Sequence, residues 1–306
     1  MNISLCIATY RRPERLAALL DDLVKQQQLP DEVVVVDNDA AGSARAVVER
    51  RREAGAPFPI RYDIQPVKNI SLTRNRTVAL ASGDWIAFID DDERAPEAWL
   101  KQLAGTVIRH AADGALGPVE PIVPPDAPAW IRHGSFYDWA RMKTGTVIPL
   151  NKLRFGNVLL RGALLRDGPA PFDPNYGLTG GEDGDLLGRL VQQGASIVWC
   201  DEAVVHEPVE ASRLSLRWLL LRALRGGQDF ARHKLTGRFG HLTAAGRAWL
   251  FLRALTQSLI AAGLALLCWP GGRHHAVYWL LKVAANLGKM SIFLGWHYRE
   301  YGHKVT

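Results

Sequence analysis

Through the N-terminal third of the chain, apolar runs that read as buried strands alternate with leucines and small residues at helical spacing. Ile3–Thr9 is β-rich and apolar, and past Tyr10-Arg11-Arg12-Pro13 the residues Leu16, Leu19, Leu20 and Leu23 recur on one helical face. Beyond the Leu29-Pro30 break, 33–36 is a second strand ending in Asp37-Asn38-Asp39, and 43–52 reads as a polar helix. Ile60–Ile64 is a third strand, and 71–81 is a helix carrying Arg74 and Asn75 in its first turns. After Ser82-Gly83-Asp84, the run Trp85-Ile86-Ala87-Phe88-Ile89 is a fourth strand that ends abruptly in Asp90-Asp91-Asp92-Glu93. Strands alternating with helices predict an α/β chain: a Rossmann-like, doubly wound, mainly parallel sheet with helices on both faces.

Four consecutive acids repel one another, and folding does not require them. Two readings are open for the stretch by itself. One is a hard divalent cation carrying phosphates, which takes one or two carboxylates plus phosphate oxygens. The other is a solvated acidic turn opening the next helix, where acids complement the helix N-terminus and Pro96 suits a first turn. Ligands of open α/β sheets bind beyond the carboxyl ends of the strands. Thr9 to Arg12, Asp37 to Asp39 and Asp90 to Glu93 each follow a strand, so they belong on one rim, and that convergence favours the metal. The Gly-x-Gly-x-x-Gly fingerprint is absent after the first strand, and so is the phosphate loop ending Gly-Lys-Ser/Thr. A mononucleotide with a metal on its phosphates remains. By analogy with dinucleotide folds, Asp37 is placed to read a ribose or base edge.

Charge and cysteines narrow this only slightly. A formal net charge of +6 and a pI near 9.3 admit nucleic acid, an anionic membrane or phosphorylated small molecules. Cys6, Cys200 and Cys268 stand singly, without a disulfide or zinc spacing, which fits a reducing compartment. No secretory leader is read at the N-terminus, so the catalytic part is expected in the cytoplasm.

Beyond the predicted helix 96–107 the chain changes character. The segment 117–150 is rich in Pro, Gly and aromatics, with Trp130, Phe136, Tyr137 and Trp139; such rings suit sugar faces or a lipid-linked acceptor, and equally suit packing the loop down. Gly180-Gly181-Glu182-Asp183-Gly184-Asp185 is a second acidic cluster at a loop-to-helix junction. Acids there cap a helix, but three exceed one cap, and the paired glycines allow a close backbone approach. A strand at 197–200 follows, and His206 lies just past another apolar run.

With these residues in hand, the first 210 or so residues resemble the inverting glycosyltransferases of family 2, with the GT-A fold, in particular the bacterial succinoglycan-type exopolysaccharide glycosyltransferases. The resemblance is carried by Ile7-Ala8-Thr9-Tyr10-Arg11-Arg12, Val35-Val36-Asp37-Asn38, Leu72-Thr73-Arg74-Asn75, Asp90-Asp91-Asp92 and Gly181-Glu182-Asp183, in this order. It implies a nucleotide-sugar site, for a UDP-sugar first of all, formed by Thr9, Tyr10, Arg11, Asp37, Asn69, Arg74, Asp90, Asp91 and Asn157. It implies a divalent metal, Mg or Mn, on Asp92 with Asp90 and His206. It further implies that Asp183 is the base that deprotonates the acceptor hydroxyl, with Glu182 positioning the acceptor. One departure is informative: processive synthases carry Gln-x-x-Arg-Trp after the base, whereas Leu214 takes the Gln place in Leu214-Ser215-Leu216-Arg217-Trp218. A single sugar transfer is expected. The rivals are a sugar nucleotidyltransferase, whose glycine-rich N-terminal pattern is missing, and a noncatalytic sugar-nucleotide-binding assembly protein, against which Asp92 and Asp183 speak.

The boundary is expected at 210/211, with 1–210 catalytic and 211–306 helical and membrane-associating. The latter opens with Arg213, Arg217, Arg222, Arg225, Arg232, Lys234 and Arg238. The apolar stretch 254–269 is shorter than the ~20 residues of a comfortable span. A basic segment before Trp-flanked apolar helices reads as a peripheral or monotopic anchor on the cytoplasmic face of the inner membrane, with two spans or a soluble cap as alternatives. The acceptor is then lipid-linked or a growing glycan, and no nucleic-acid partner is expected. The sequence leaves the oligomeric state open.

Overall fold

Buried strands with both faces covered need near-continuous apolar sequence, and the first two strands supply it: Ile3–Thr9 (β1) and Glu32–Asp37 (β2) are buried almost throughout. The computed structural model describes residues 1–166, 168, 170–238 and 240–298. Its further strands are β3 (Ile60–Ile64), β4 (Trp85–Phe88), β5 (Gly114–Leu116), β6 (Val119–Ile122), β7 (Val158–Arg161), β8 (Ile197–Trp199) and β9 (Val205–Pro208). The helices are α1 (Pro13–Leu23), α2 (Arg45–Glu53), α3 (Ile70–Leu80), α4 (Trp99–Arg109), α5 (Ala129–Arg132), α6 (Ala163–Arg166), α7 (Glu182–Gln192), α8 (Leu216–Leu235), α9 (Ala244–Cys268) and α10 (Arg273–Phe293).

One sheet runs in the order β3-β2-β1-β4-β7-β5-β8, and β6 pairs with β9 separately. The strands β1 to β4 are parallel, as the alternation predicts, while β7 lies antiparallel between β4 and β5. Alternate residues of each strand face opposite sides. Leu5, Ile7, Val33 and Val35 join Leu16, Leu19, Leu20 and Leu23 of α1 and Trp99, Leu100 and Leu103 of α4 in one core. Cys6, Val34, Val36, Ile86 and Phe88 join Leu186, Leu187 and Leu190 of α7, with Phe155 and Phe172, in the other. Each fully buried leucine contributes about 2 kcal/mol, so α1 is pinned to the sheet and fixes the loop before it. Thr9 pairs with Asp37, and Asp37 with Ile64, so the loops after these parallel strands leave from one edge.

The chain divides into two compact units, one of 1–120 and 139–207, the other of 121–138 and 208–299. The division falls at 120/121, 138/139 and 207/208. Within the second unit Ala127, Ile131, Tyr137, Val209 and Leu219 form a small core, and the Tyr137 hydroxyl donates to the Arg213 carbonyl at 2.9 Å. α9 is longer than the apolar stretch read from sequence. It starts at Ala244, because Thr243 caps it by accepting from Gly246 N and because Arg247 and Arg253 interrupt the apolar run without ending the helix. Ala254, Ser258, Ala261 and Ala265 are its buried stripe, while Trp249, Leu252, Leu255, Leu259, Ile260, Leu266 and Leu267 are exposed. Cys6, Cys200 and Cys268 are all unbridged.

Candidate active site

The loops after β1, β2 and β4 meet on one rim, and hydrogen bonds tie them together. Thr9 Oγ1 donates to Asp91 Oδ2 at 2.7 Å across 82 residues of sequence. Arg12, at the N-terminus of α1, donates to Asp91 Oδ1 at 3.2 Å and to Asp92 Oδ2 at 2.9 Å, and Arg15 stands 3.6 Å from the same Asp92 oxygen. Arg12 and Arg15 were not among the expected site residues. Their signal was present, a pair of basic residues one helical turn apart directly after the first strand. Arg11 takes a left-handed backbone with φ of 54° and pairs with Asp39 at 3.2 Å, while its guanidinium and the Lys68 ammonium both lie over the Tyr10 ring.

Arg74, on the buried polar face of α3, joins the two acidic clusters. It donates to Glu182 Oε1 at 2.5 Å and to Asp90 Oδ1 at 3.1 Å, with its guanidinium over the rings of Phe155 and Phe172. The fork of an arginine is suited to holding two carboxylates at once. Gly180 and Gly181, both at positive φ of 80° and 94°, form the turn that brings the start of α7 here without steric penalty. Of the three acids in that first turn, Glu182 is buried against Arg74 and Asp185 is fully buried against Arg189 at 2.9 Å. Asp183 is half-buried, accepts from Gly184 N at 2.7 Å, and acts through its charge on Asp90.

Crowding shows in the acids themselves. Burial raises Asp91 to about 6, with Arg12 and Thr9 opposing and Asp92 and Asp90 reinforcing the rise. Removal from bulk water raises Asp90, against the pull of Arg74 and with Asp92 and Asp183 adding to it. Glu93 is pushed well above the carboxylate range by burial and by Asp90, Asp92 and Glu207, and it accepts from Asp90 N at 3.2 Å. Gly156, at φ of 106°, backs onto this group: a Cβ there would lie 2.9 Å from Glu93 Oε1 and 3.3 Å from Asp90 Oδ2.

The other expected site residues each make bonds of their own within the fold. Asp37 is fully buried and accepts from Asp39 N at 2.9 Å, Ala44 N at 2.8 Å and the Tyr62 hydroxyl at 3.1 Å, so its carboxylate organises the loop leading to α2. Asn157 accepts from Trp99 Nε1 at 2.8 Å and donates to the carbonyls of Pro118 and Ala203, which makes it a buried tie under the site. Asn69 caps α3 by accepting from Leu72 N at 3.0 Å, and its own N–H bonds to Asn38 Oδ1 at 2.9 Å. His206 pairs through its backbone with Arg94, beside the acidic loop, and its Nδ1 lies 3.7 Å from Glu120 Oε2. Among the described residues no three His, Cys, Asp or Glu side chains are gathered as a ready metal cage.

A mixed sheet with acids and arginines at its strand ends, joined to acids opening a later helix, is suited to a phosphorylated ligand. Residues 4–158 match the family model described as glycosyl transferase family 2. The chain is 36% identical over 303 residues to the succinoglycan biosynthesis protein ExoM of Rhizobium meliloti strain 1021, covering 96% of this chain and 94% of that one. It is 34% identical over 122 residues to the galactofuranosyltransferase GlfT1 of Mycobacterium tuberculosis, 38% of each chain. Among solved structures, TarS 1–349 of S. aureus in complex with UDP superposes with a TM-score of 0.55 at 19% identity, covering 98% of this chain and 93% of that one. The mannosyltransferase PcManGT of Pyrobaculum calidifontis, in complex with GDP-Man and Mn2+, superposes with a TM-score of 0.61 at 17% identity over 94% and 87%. The chain belongs to glycosyltransferase family 2. The family match ends before α7, so Asp183 and Glu182 rest on geometry and on the resemblance in sequence.

Proposed function

We propose that the chain moves one sugar, with inversion, from a nucleotide-sugar, a UDP-sugar first of all, to a lipid-linked or polysaccharide-precursor acceptor in cell-surface or exopolysaccharide synthesis. The single observation that carries this reading is the Arg74 bridge, which brings the open carboxylate of Asp183 to the strand-end acids. The nature of the donor is supported by the UDP bound in TarS, and the pathway by the succinoglycan relative.

In this reading the nucleotide lies over the loops after β1 and β2, with Tyr10 and Lys68 at its edge and Asp37 acting through the loop it holds. Arg12 and Arg15 place positive charge beside the acids at the diphosphate. Asp183 takes the proton of the acceptor hydroxyl as that oxygen attacks the anomeric carbon opposite the departing diphosphate, and a single in-line displacement inverts the centre. Glu182, locked to Arg74, sets the position of the helix that carries Asp183.

The donor set fits a hard divalent cation: carboxylate oxygens of Asp90 and Asp92 gathered at one strand end, with the Asp90 side chain still reached by solvent. Asp90 and Asp92 would hold it, Asp92 by exchanging its arginine partners, with His206 at the margin. Bound there, a cation supplies charge stabilisation to the leaving diphosphate. The test is a donor screen with purified full-length protein in detergent, reading released nucleoside diphosphate. UDP from one UDP-sugar is expected. Release from no sugar nucleotide, with donor binding intact, contradicts transferase activity.

Membrane attachment is the second part of the reading. By length and composition, 244–271 is apolar enough to cross a membrane and is only 22% buried, yet its exposed residues form one face opposite the buried stripe. The second unit carries 14 Lys and Arg against 4 Asp and Glu, so charge and apolar surface both suit an anionic leaflet with α9 lying in its plane. Replacing Leu259 and Leu266 by Glu is expected to abolish flotation with anionic vesicles while helicity is retained. Unchanged flotation of that variant, or a wild-type chain that is monodisperse without detergent, would remove the anchor.

A further inference from the structure

Of the four aromatic residues in the irregular segment, three pack. Trp130 and Phe136 meet at 5.8 Å, and Tyr137 stacks on Trp218, all within the second unit. Trp139 belongs to the first unit and is half-buried, with the Arg154 guanidinium 3.9 Å from its ring centroid. Arg154 is exposed, and among the described residues it has no hydrogen bond or salt bridge. Protein packed around it lowers its pKa, and Asp183 is the acid whose charge opposes that. Its backbone is well anchored. Phe155 packs against Phe88 at 4.8 Å, Gly156 backs onto Asp90 and Glu93, and Asn157 bonds to three partners.

The geometry points to Trp139 and Arg154 as an acceptor subsite that recognises a sugar bearing an anionic group next to the hydroxyl that attacks. This rests on Asp183 as the base. An indole is a platform for the apolar side of a sugar, and a planar guanidinium beside it is suited to a carboxylate or a phosphate. Arg12, Arg15 and Arg74 already face the strand-end acids, whereas Arg154, among the described residues, has no bonded acid and feels the charge of Asp183. The anion has two possible sources, a carboxylated sugar residue or the phosphate joining a sugar to its lipid carrier.

Full-length protein in detergent, saturated with UDP and Mn2+, is titrated with methyl glucuronide, glucose 1-phosphate and methyl glucoside, with binding read by ligand-observed NMR. One anionic probe is expected to bind about two- to fivefold more tightly than the glucoside, which is what one exposed charge-assisted pair supplies. Preference for the glucuronide indicates a carboxylated acceptor, and preference for the phosphate indicates the carrier linkage. Arg154→Gln should erase the difference, Arg154→Lys should restore part of it, and Trp139→Ala should weaken all three probes. UDP affinity should stay within about twofold in every variant. Equal or undetectable binding of the three probes overturns the subsite, and so does a tenfold loss of UDP affinity in Arg154→Gln, which would move that residue to the donor. Failure of the wild-type chain to bind UDP would instead count against the donor reading itself.

Discussion

Asp183→Asn is expected to lower kcat by at least ~10²-fold, the lower end of what a positioned general base supplies, while donor affinity measured by calorimetry barely changes. The substitution keeps shape and removes only the proton acceptor, and in this reading Asp183 acts only as the acceptor hydroxyl attacks. Its two acidic neighbours should behave differently because each has a different partner. Glu182→Gln removes half of a buried ion pair, the carboxylate that Arg74 meets at 2.5 Å; breaking such a pair costs about 3–5 kcal/mol, so the midpoint of thermal unfolding should fall. Asp185→Asn loses its charge opposite Arg189 in a fully buried position and should likewise appear in stability. Near-normal turnover in Asp183→Asn, with a collapse in Asp185→Asn at unchanged stability, would transfer the role of base to Asp185.

The difference between these three acids was not legible in the sequence. All three sit in one helical turn, and what separates them is Arg74, 108 residues from Glu182, together with the burial of Asp185 against Arg189. The strand-end clusters were legible, because an apolar run that stops in acids carries its own signature and the parallel sheet assigns such ends to one rim. The middle of the sheet was not. The strands β5 and β7 are three and four residues long, set among Gly and Pro, too short for a period to show. Asn157 fits a sugar contact or a buried tie equally well until Trp99, Pro118 and Ala203 are seen around it. The start of α9 was hidden for the opposite reason: Arg247 and Arg253 break the hydrophobic pattern although the backbone continues as a helix.

The second large effect separates a metal ligand from a partner of arginines at Asp92. In the structure, Asp92 Oδ2 is held by Arg12 at 2.9 Å and approached by Arg15 at 3.6 Å, so Asn in its place would remove the charge that faces both cations as well as any metal. If Asp92 helps hold a divalent ion, Asp92→Asn should abolish transfer and weaken binding of UDP with Mn2+ at least ~10-fold, within the range lost when support for a metal site is removed. Excess chelator should do the same to the wild-type chain, reversibly, and should change nothing further in the variant. The fold should not suffer, because one charge leaves a crowded acidic cluster and an amide oxygen still accepts from Arg12. If Asp92 serves only the arginines, the pattern changes: Arg12→Gln should reproduce the defect in full, and UDP binding by the wild-type chain should be indifferent to chelator. Full wild-type turnover in excess chelator would take the cation out of the mechanism and leave Arg12, Arg15 and Arg74 as the charges that face the diphosphate.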